Sequence, residues 1–246
     1  MKPANLLIPD TCFDCGLKGK GSFCRLPVEE KQTFNLIAIT KIVPKGAYLF
    51  FEGEPATVVF MLCKGRAKLS VCAPNGKTMI ICIAEPGDIL GLSAALTETT
   101  YETTAEMLEL SQVKCLKVQD LLSFFEKNPT ACLNAARQLS QTHQATCRQV
   151  RALGLSDSVA DKLAELFLTW SGNGTGGDGR IHLKNFFTHE EIAEMIGTSR
   201  ETVTRALKYF REQELVTLKG SDLFIHDRKR LKAFIGTRPA IRPYVS

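Results

Sequence analysis

The segment from residue 188 to residue 207 constrains the fold most strongly, because it contains two short helical patterns separated by a glycine. Thr188 suits a helix N-cap, and Glu191, three residues later, completes a capping box. Gly197 permits the left-handed backbone of a tight turn, and Ser199 suits the N-cap of a second helix. The pattern predicts a helix-turn-helix.

The second of these helices has an apolar face and a polar face. The apolar residues at helical spacing are Val203, Ala206, Leu207 and Phe210. The side chains expected on the outer face are Arg200, Glu201, Thr204, Arg205 and Lys208. The N-terminal part of such a helix enters the major groove of DNA. Arginine there can donate two hydrogen bonds to guanine, and glutamate can accept one from the cytosine amino group.

Two short apolar runs after this segment, residues 215–218 and 223–225, predict a two-stranded wing. Lys219 lies in the turn between them, where we expect it near DNA phosphates. His189 follows the first N-cap and is also expected at a phosphate. Thr188 and Ser199 complete the predicted DNA-binding set.

The net charge supports a nucleic-acid partner for this part of the chain. Residues 181–246 contain 12 Lys and Arg against 8 Asp and Glu, so they carry most of the total charge of +5. Clustered positive charge is typical of surfaces that bind nucleic acid.

The preceding residues predict an α+β protein. Between residues 37 and 118, short apolar runs alternate with turn signals such as Asn75-Gly76, which is typical of an antiparallel β-roll or sandwich. Asn128-Pro129 predicts the start of a long helix, whose narrow apolar stripe favours a two-helix seam. The stripe contains Cys132, Ala136, Leu139, His143 or Thr146, Val150 and Leu153.

The predicted domains are a cysteine-rich segment (1–27), a β-roll (28–127), a dimerisation helix (128–154), a winged helix-turn-helix (155–236) and a tail (237–246).

The composition of the chain narrows the cellular compartment and the class of protein that we expect. No apolar run reaches the length of a membrane span, and residues 1–10 lack the features of a signal peptide. We therefore expect a cytoplasmic protein with no membrane partner. None of the four histidines has a sequence context that pairs it with a cysteine nucleophile, so we do not expect an enzyme.

Nine cysteines are many for such a chain. In a reducing compartment they favour metal binding, redox sensing or burial over a disulfide framework. Cys12, Cys15 and Cys24 are compatible with an iron–sulfur cluster, with zinc or with a thiol switch. For the others we expect burial as small hydrophobic residues in strands or packing on the long helix; these are Cys63, Cys72, Cys82, Cys132 and Cys147.

Taken together, these motifs resemble the Crp/Fnr family of bacterial transcription regulators over nearly the full length of the chain. Residues 199–205, Ser-Arg-Glu-Thr-Val-Thr-Arg, are similar to the recognition helix of the cyclic-AMP-responsive members. The resemblance implies a homodimer that reads a near-palindromic, TGTGA-like operator and contacts RNA polymerase, commonly as an activator. Thr204 departs from the family pattern, so the outer base preference stays open.

The resemblance also bears on the effector. Cyclic-AMP-responsive members hold the ribose with a glutamate and the phosphate with an arginine. Here the corresponding stretches are Gly91-Leu-Ser93 and Thr103-Thr-Ala105, and both charged groups are absent. Because an unpaired buried phosphate is costly, we expect no cyclic AMP binding.

The cysteine-rich N-terminus resembles that of oxygen-sensing members, in which three thiolates from this segment and one from the β-roll hold a [4Fe–4S] cluster. The resemblance implies Cys12, Cys15 and Cys24 as ligands, with Cys115 as the fourth. Cys115 lies one position later than the family ligand, which in a strand turns a side chain to the opposite face, and Cys63, Cys72 and Cys82 compete with it.

We thus expect a DNA-binding regulator gated by a redox- or gas-sensitive cluster. The alternative is a small organic effector in the β-roll, with the N-terminal cysteines binding zinc or acting as a thiol switch.

Overall fold

The computed structural model describes Cys12 and residues 23–156, 158–171, 180–183, 187–220 and 222–236. The chain divides into two compact units, Met1–Thr146 and Cys147–Ser246. One long helix, α4 (Pro129–Leu155), begins in the first unit and ends in the second. The boundaries of the five domains predicted from the sequence remain predictions.

The first unit contains a β-roll. Its strands are β1 (Ile39–Val43), β2 (Tyr48–Phe50), β3 (Val58–Lys64), β4 (Ala67–Cys72), β5 (Thr78–Ala84), β6 (Ile89–Leu90), β7 (Thr104–Met107) and β8 (Ser111–Lys117). They form two antiparallel four-stranded sheets in the orders β1-β8-β3-β6 and β2-β7-β4-β5. The predicted hairpin at Asn75-Gly76 joins β4 to β5, and Gly76 takes the left-handed conformation (φ 80°) that such a turn favours.

The helices of the first unit are α1 (Val28–Ile37), α2 (Leu92–Thr97), α3 (Val118–Lys127) and the first part of α4. The sequence predicted the long helix α4 but not α1 or α2. In α1, Phe34 is the only buried residue, so the helix has little apolar periodicity to detect. The six residues of α2 are too few to establish a period.

Two buried clusters stabilise this unit. We call the first the inner cluster, since its residues come from both sheets: Phe50, Leu62, Ala67, Ala84, Leu90, Ala94, Tyr101, Ala105, Met107, Val113 and Cys115. We call the second the helix cluster, since it joins one sheet to the helices: Phe23, Leu26, Phe34, Val59, Met61, Cys63, Ile89, Leu92, Ala95, Leu116, Leu121, Phe124, Phe125, Ala131 and Ala135. Strand β8 contributes to both clusters from its two faces.

The second unit contains α5 (Val159–Trp170), β9 (Ile181–Leu183), α6 (His189–Ile196), α7 (Arg200–Glu212), β10 (Val216–Lys219), β11 (Asp222–Ile225) and α8 (Arg228–Phe234). The wing has three strands in the order β10-β11-β9, so the two-stranded prediction was incomplete. Strand β9 has only three residues and pairs with β11 across a long sequence separation. Among the described residues, no helix is both long enough and apolar enough to cross a membrane.

Candidate functional site

The predicted helix-turn-helix is present, and its capping interactions match the prediction. The Thr188 hydroxyl accepts from the Glu191 backbone N–H at 3.2 Å, and the Thr188 N–H donates to Glu191 Oε2 at 2.7 Å. Gly197 ends α6 in the left-handed conformation with φ 67°. The Ser199 hydroxyl then accepts from the Thr202 N–H at 3.3 Å and begins α7. These local bonds fix where α7 starts.

Helix α7 has one buried face and one exposed face, as predicted. Its buried residues are Val203, Ala206, Leu207 and Phe210. The exposed residues include all five that the sequence assigned to the outer face: Arg200, Glu201, Thr204, Arg205 and Lys208. The first two turns of α7 therefore present two guanidinium groups, one carboxylate and one hydroxyl to solvent.

Several of these exposed side chains are held by hydrogen bonds. The Thr204 hydroxyl donates to the Arg200 carbonyl at 2.9 Å and lies 2.8 Å from His189 Nδ1. Because the hydroxyl proton is used on the carbonyl, Nδ1 of His189 has to be the donor in the second bond. Arg205 Nη2 donates to Thr202 Oγ1 at 3.2 Å. The polar surface is thus partly ordered before any ligand binds.

Glu201 is kept ionised by its surroundings. Hydrogen bonds to its own backbone N–H and to the Ser199 hydroxyl lower the pKa of the Glu201 carboxyl, and the charges of Arg200 and Arg205 lower it further. Glu201 is therefore a hydrogen-bond acceptor only.

The wing holds the remaining predicted cation. Lys219 ends β10 and is exposed, with its ammonium 5.9 Å from the centre of the Phe224 ring on β11. His182 on β9 stacks on the same ring at 4.4 Å and lies 2.9 Å from Asp222 Oδ2. The strand that the sequence missed is therefore the third strand of the wing, and it pairs with β11 and stacks on it through His182.

The predicted metal ligands are not brought together as a set. Cys12 and Cys24 both pack against the helix cluster, whereas Cys115 belongs to the inner cluster on the other face of β8. Burial raises the pKa of the Cys115 thiol, which disfavours the thiolate that a metal needs. Cys15 lies outside the described residues. Within the described ranges, no three His, Cys, Asp or Glu side chains form a group that could hold a metal ion.

The other cysteines divide by environment. Cys63 is buried in the helix cluster, as expected for a small hydrophobic residue. Burial, with the nearby charge of Asp88, raises the pKa of the Cys82 thiol to about 12. Cys72 is exposed at the end of β4, so the expectation of burial was wrong for it. Cys132 and Cys147 are exposed on α4.

Two buried amides, which the sequence reasoning missed, connect α4 to the rest of the first unit. Asn134 Nδ2 donates to the carbonyl of Arg25, the residue after Cys24, at 3.1 Å. One turn later, Gln138 accepts from the Ile89 N–H at 3.0 Å and donates to the Ile89 carbonyl at 2.9 Å. The sequence signal that could have revealed them is a pair of amide residues four positions apart, in the same part of α4 as the buried Ala131 and Ala135.

The interior of the β-roll is filled near the start of α2. The Phe50 and Tyr101 rings stack with centres 4.0 Å apart, and the Tyr101 hydroxyl donates to the Val58 carbonyl. A Cβ at Gly91, the residue before α2, would lie 2.7 Å from Tyr101 Cε1. Aromatic side chains therefore occupy the space directly beside this segment.

Comparison with known proteins identifies both units. Residues 161–234 match the family model described as a Crp-like helix-turn-helix domain, and residues 40–128 match the one described as a cyclic nucleotide-binding domain. Together these two models cover more than half of the chain.

Curated relatives extend this match. The chain is 27% identical over 191 residues to the CRP-like cAMP-activated global transcriptional regulator of Mycobacterium tuberculosis, covering 76% of this chain and 84% of that protein. It is 27% identical over 187 residues to the cAMP-activated global transcriptional regulator CRP of Pasteurella multocida, covering 74% and 88% respectively.

Solved structures show the same fold. FixK2 from Bradyrhizobium japonicum superposes with a TM-score of 0.71 at 18% identity, covering 82% of this chain and all of that one. A CooA mutant from Carboxydothermus hydrogenoformans gives 0.70 at 22% identity, covering 81% and 88%. With its β-roll, its long helix and its C-terminal helix-turn-helix, the chain belongs to the Crp/Fnr family of transcriptional regulators, which are DNA-binding proteins and not enzymes.

Proposed function

We propose that this regulator binds a near-palindromic, TGTGA-like operator as a homodimer and that the thiols of its N-terminal segment control this binding. The observation that carries the DNA-binding part is the exposed, capped start of α7. Arg200, Glu201 and Arg205 lie on its solvent face while the opposite face is buried. Polar side chains that are held in place and aimed at solvent suit the reading of base edges.

The contacts divide into two kinds. Arg200 and Arg205 donate to guanine, Glu201 accepts from cytosine, and Thr204 contacts an outer base. The groups that position the domain on phosphates are Thr188, His189, Ser199, Lys208 and Lys219. The hydrogen bond between His189 and Thr204 links the two kinds of contact.

Binding to labelled duplexes tests the assignment. A duplex with two TGTGA half-sites spaced for successive major grooves, about 34 Å apart, is compared with the same duplex in which both half-sites are scrambled. We expect tighter binding to the first duplex at matched salt, because salt alone changes affinity strongly. Equal binding to both would contradict the operator assignment.

The proposal of a homodimer rests on the exposed seam residues of α4. The predicted seam residues Cys132, Ala136, His143 and Val150 are exposed in the single chain, and Val150 is 64% exposed. An apolar stripe on a long helix favours pairing with a second copy. Contact with RNA polymerase is proposed from the family membership.

For the signal, we propose an iron–sulfur cluster held by Cys12, Cys15 and Cys24, with zinc as the alternative metal. Cys12 and Cys24 lie on the same cluster of buried residues, and an iron–sulfur cluster would supply a centre that oxygen or nitric oxide can alter. Asn134 holds the backbone next to Cys24 on α4, so a change at the cysteines reaches the seam helix through that bond. Cys115, assigned as the fourth ligand from the sequence, does not fit because it faces the inner cluster.

Anaerobic reconstitution with ferrous iron and sulfide tests this signal. We expect bound iron, visible absorption, and an operator affinity that changes on exposure to air. A colourless protein whose operator affinity is the same with and without air would contradict the proposed signal.

A second candidate is a small organic effector in the β-roll, favoured by the match to the cyclic nucleotide-binding domain. The two relatives named above are cAMP-activated, but we propose that this chain does not bind cyclic AMP. This proposal rests on the absence of the phosphate-binding arginine from residues 103–105 and on the Phe50–Tyr101 stack beside Gly91. Calorimetric titration with cyclic AMP is expected to give no heat of binding; saturable binding at one site per chain would contradict it.

A further inference from the structure

The side chain of Thr204 on α7 is held by two hydrogen bonds. Its hydroxyl donates to the Arg200 carbonyl at 2.9 Å and lies 2.8 Å from Nδ1 of His189. His189 is the first residue of α6 and lies one turn before Ile192, which is fully buried. The second bond therefore joins the first turn of α6 to the second turn of α7.

These two bonds commit the Thr204 hydroxyl to the protein. A hydroxyl has one proton and two lone pairs. The proton is donated to the Arg200 carbonyl, and one lone pair accepts from the Nδ1–H of His189. Thr204 has therefore no proton left for an acceptor on a base, and it can offer DNA only one lone pair or its methyl group.

The methyl group is the part of Thr204 that suits a contact in the groove. Residue 204 is exposed, and a threonine hydroxyl that bonds to the carbonyl four residues earlier is turned back along its own helix. The methyl group then occupies the other branch of Cβ. In the major groove its apolar counterpart is the C5 methyl of thymine, which the other three bases lack.

We propose that Thr204 reads the outer thymine of each half-site by contact between the two methyl groups, and that His189 is the positioning residue that fixes Thr204 for this contact. This inference rests on the proposed function, because it names the base and the chemistry of the outer contact at the same site. Without the Nδ1–H donor, the Thr204 side chain is free to rotate about its Cα–Cβ bond, which weakens the contact with thymine.

Deoxyuridine tests the contact, because it differs from thymidine only in lacking the C5 methyl group. The TGTGA duplex is compared with one that carries deoxyuridine at the outer thymine of both half-sites. We expect the wild type to lose affinity by roughly 4-fold for each half-site, which corresponds to the transfer free energy of one buried methyl group. Deoxyuridine at the inner thymine is the control, and its effect should be the same in the wild type and in every variant of Thr204 and His189.

Two variants of Thr204 separate the methyl group from the hydroxyl. Thr204→Val keeps a methyl group and should retain the discrimination between thymine and uracil at the outer position, whereas Thr204→Ser keeps the hydroxyl and should lose it. The reverse result would assign the contact to the hydroxyl and overturn the inference. A wild type that prefers the TGTGA duplex to its scrambled counterpart but does not respond to outer deoxyuridine overturns this inference alone. Equal binding to the TGTGA and scrambled duplexes overturns the proposed operator as well.

Two variants of His189 test its positioning role. His189→Leu removes the donor, and His189→Asn keeps an N–H donor near the place of Nδ1. We expect the ratio of the affinities for outer thymine and outer uracil to fall towards unity in His189→Leu and to be restored in His189→Asn. Loss of a phosphate contact lowers affinity for all these duplexes alike, so the ratio reports on positioning only. A wild-type ratio in His189→Leu would remove His189 from the reading of the outer base.

Discussion

At the scale of single residues, Arg205 carries the most specific prediction. Its guanidinium is exposed and is steadied by Thr202 Oγ1. Arg205→Ala removes one bidentate base contact, worth about 1–3 kcal/mol, or roughly 5- to 150-fold in Kd. Titration of the TGTGA duplex and its scrambled counterpart checks this. The loss should fall on the specific duplex, and Arg211→Ala, in the last turn of the same helix, should retain selectivity.

Glu201 gives a prediction about which base is read. A carboxylate can only accept, whereas the amide of Glu201→Gln also donates and suits adenine. We expect the variant to shift the preferred base at one position of each half-site from the C·G pair towards A·T, measured by selection from a randomised duplex. The pKa of Glu201 is lowered, so the wild-type preference should be the same at pH 6 and pH 8. An unchanged preference in Glu201→Gln would remove Glu201 from the base-reading set.

At the scale of elements, Gln138 ties α4 to β6 through both backbone groups of Ile89. Gln138→Leu leaves those groups buried without partners, at roughly 1–3 kcal/mol each. We expect a lower thermal midpoint of unfolding and faster hydrogen exchange at the Ile89 amide. Gln144→Leu makes the same change at an exposed position of α4 and should alter neither quantity.

How well the sequence predicted each element depended on how local its signals are. The helix-turn-helix is specified by caps and a glycine within twenty residues, so Thr188, Gly197 and Ser199 sufficed. Strand β9 has three residues and forms only because β11 is there to pair with it, which no local pattern reveals. The face on which Cys115 lies follows from strand register, and that is set by pairing across the whole β-roll.

At the scale of the whole molecule, the predicted seam of α4 gives a test of assembly. Val150→Glu places two like charges together wherever two copies of α4 meet at this position. We expect a shift from dimer to monomer in sedimentation, with weaker operator binding. Gln144→Glu adds the same charge outside the predicted seam and should stay dimeric. A Val150→Glu protein that remains fully dimeric would show that the seam lies elsewhere.

Because both faces of β8 are buried, this one strand is shared by the two hydrophobic clusters of the first unit. A packing defect on one face, at Leu116, is therefore passed through one layer of backbone to Val113 and Cys115 on the other face. The β-roll and the helices packed on it are therefore expected to unfold together in one step, and not one cluster after the other.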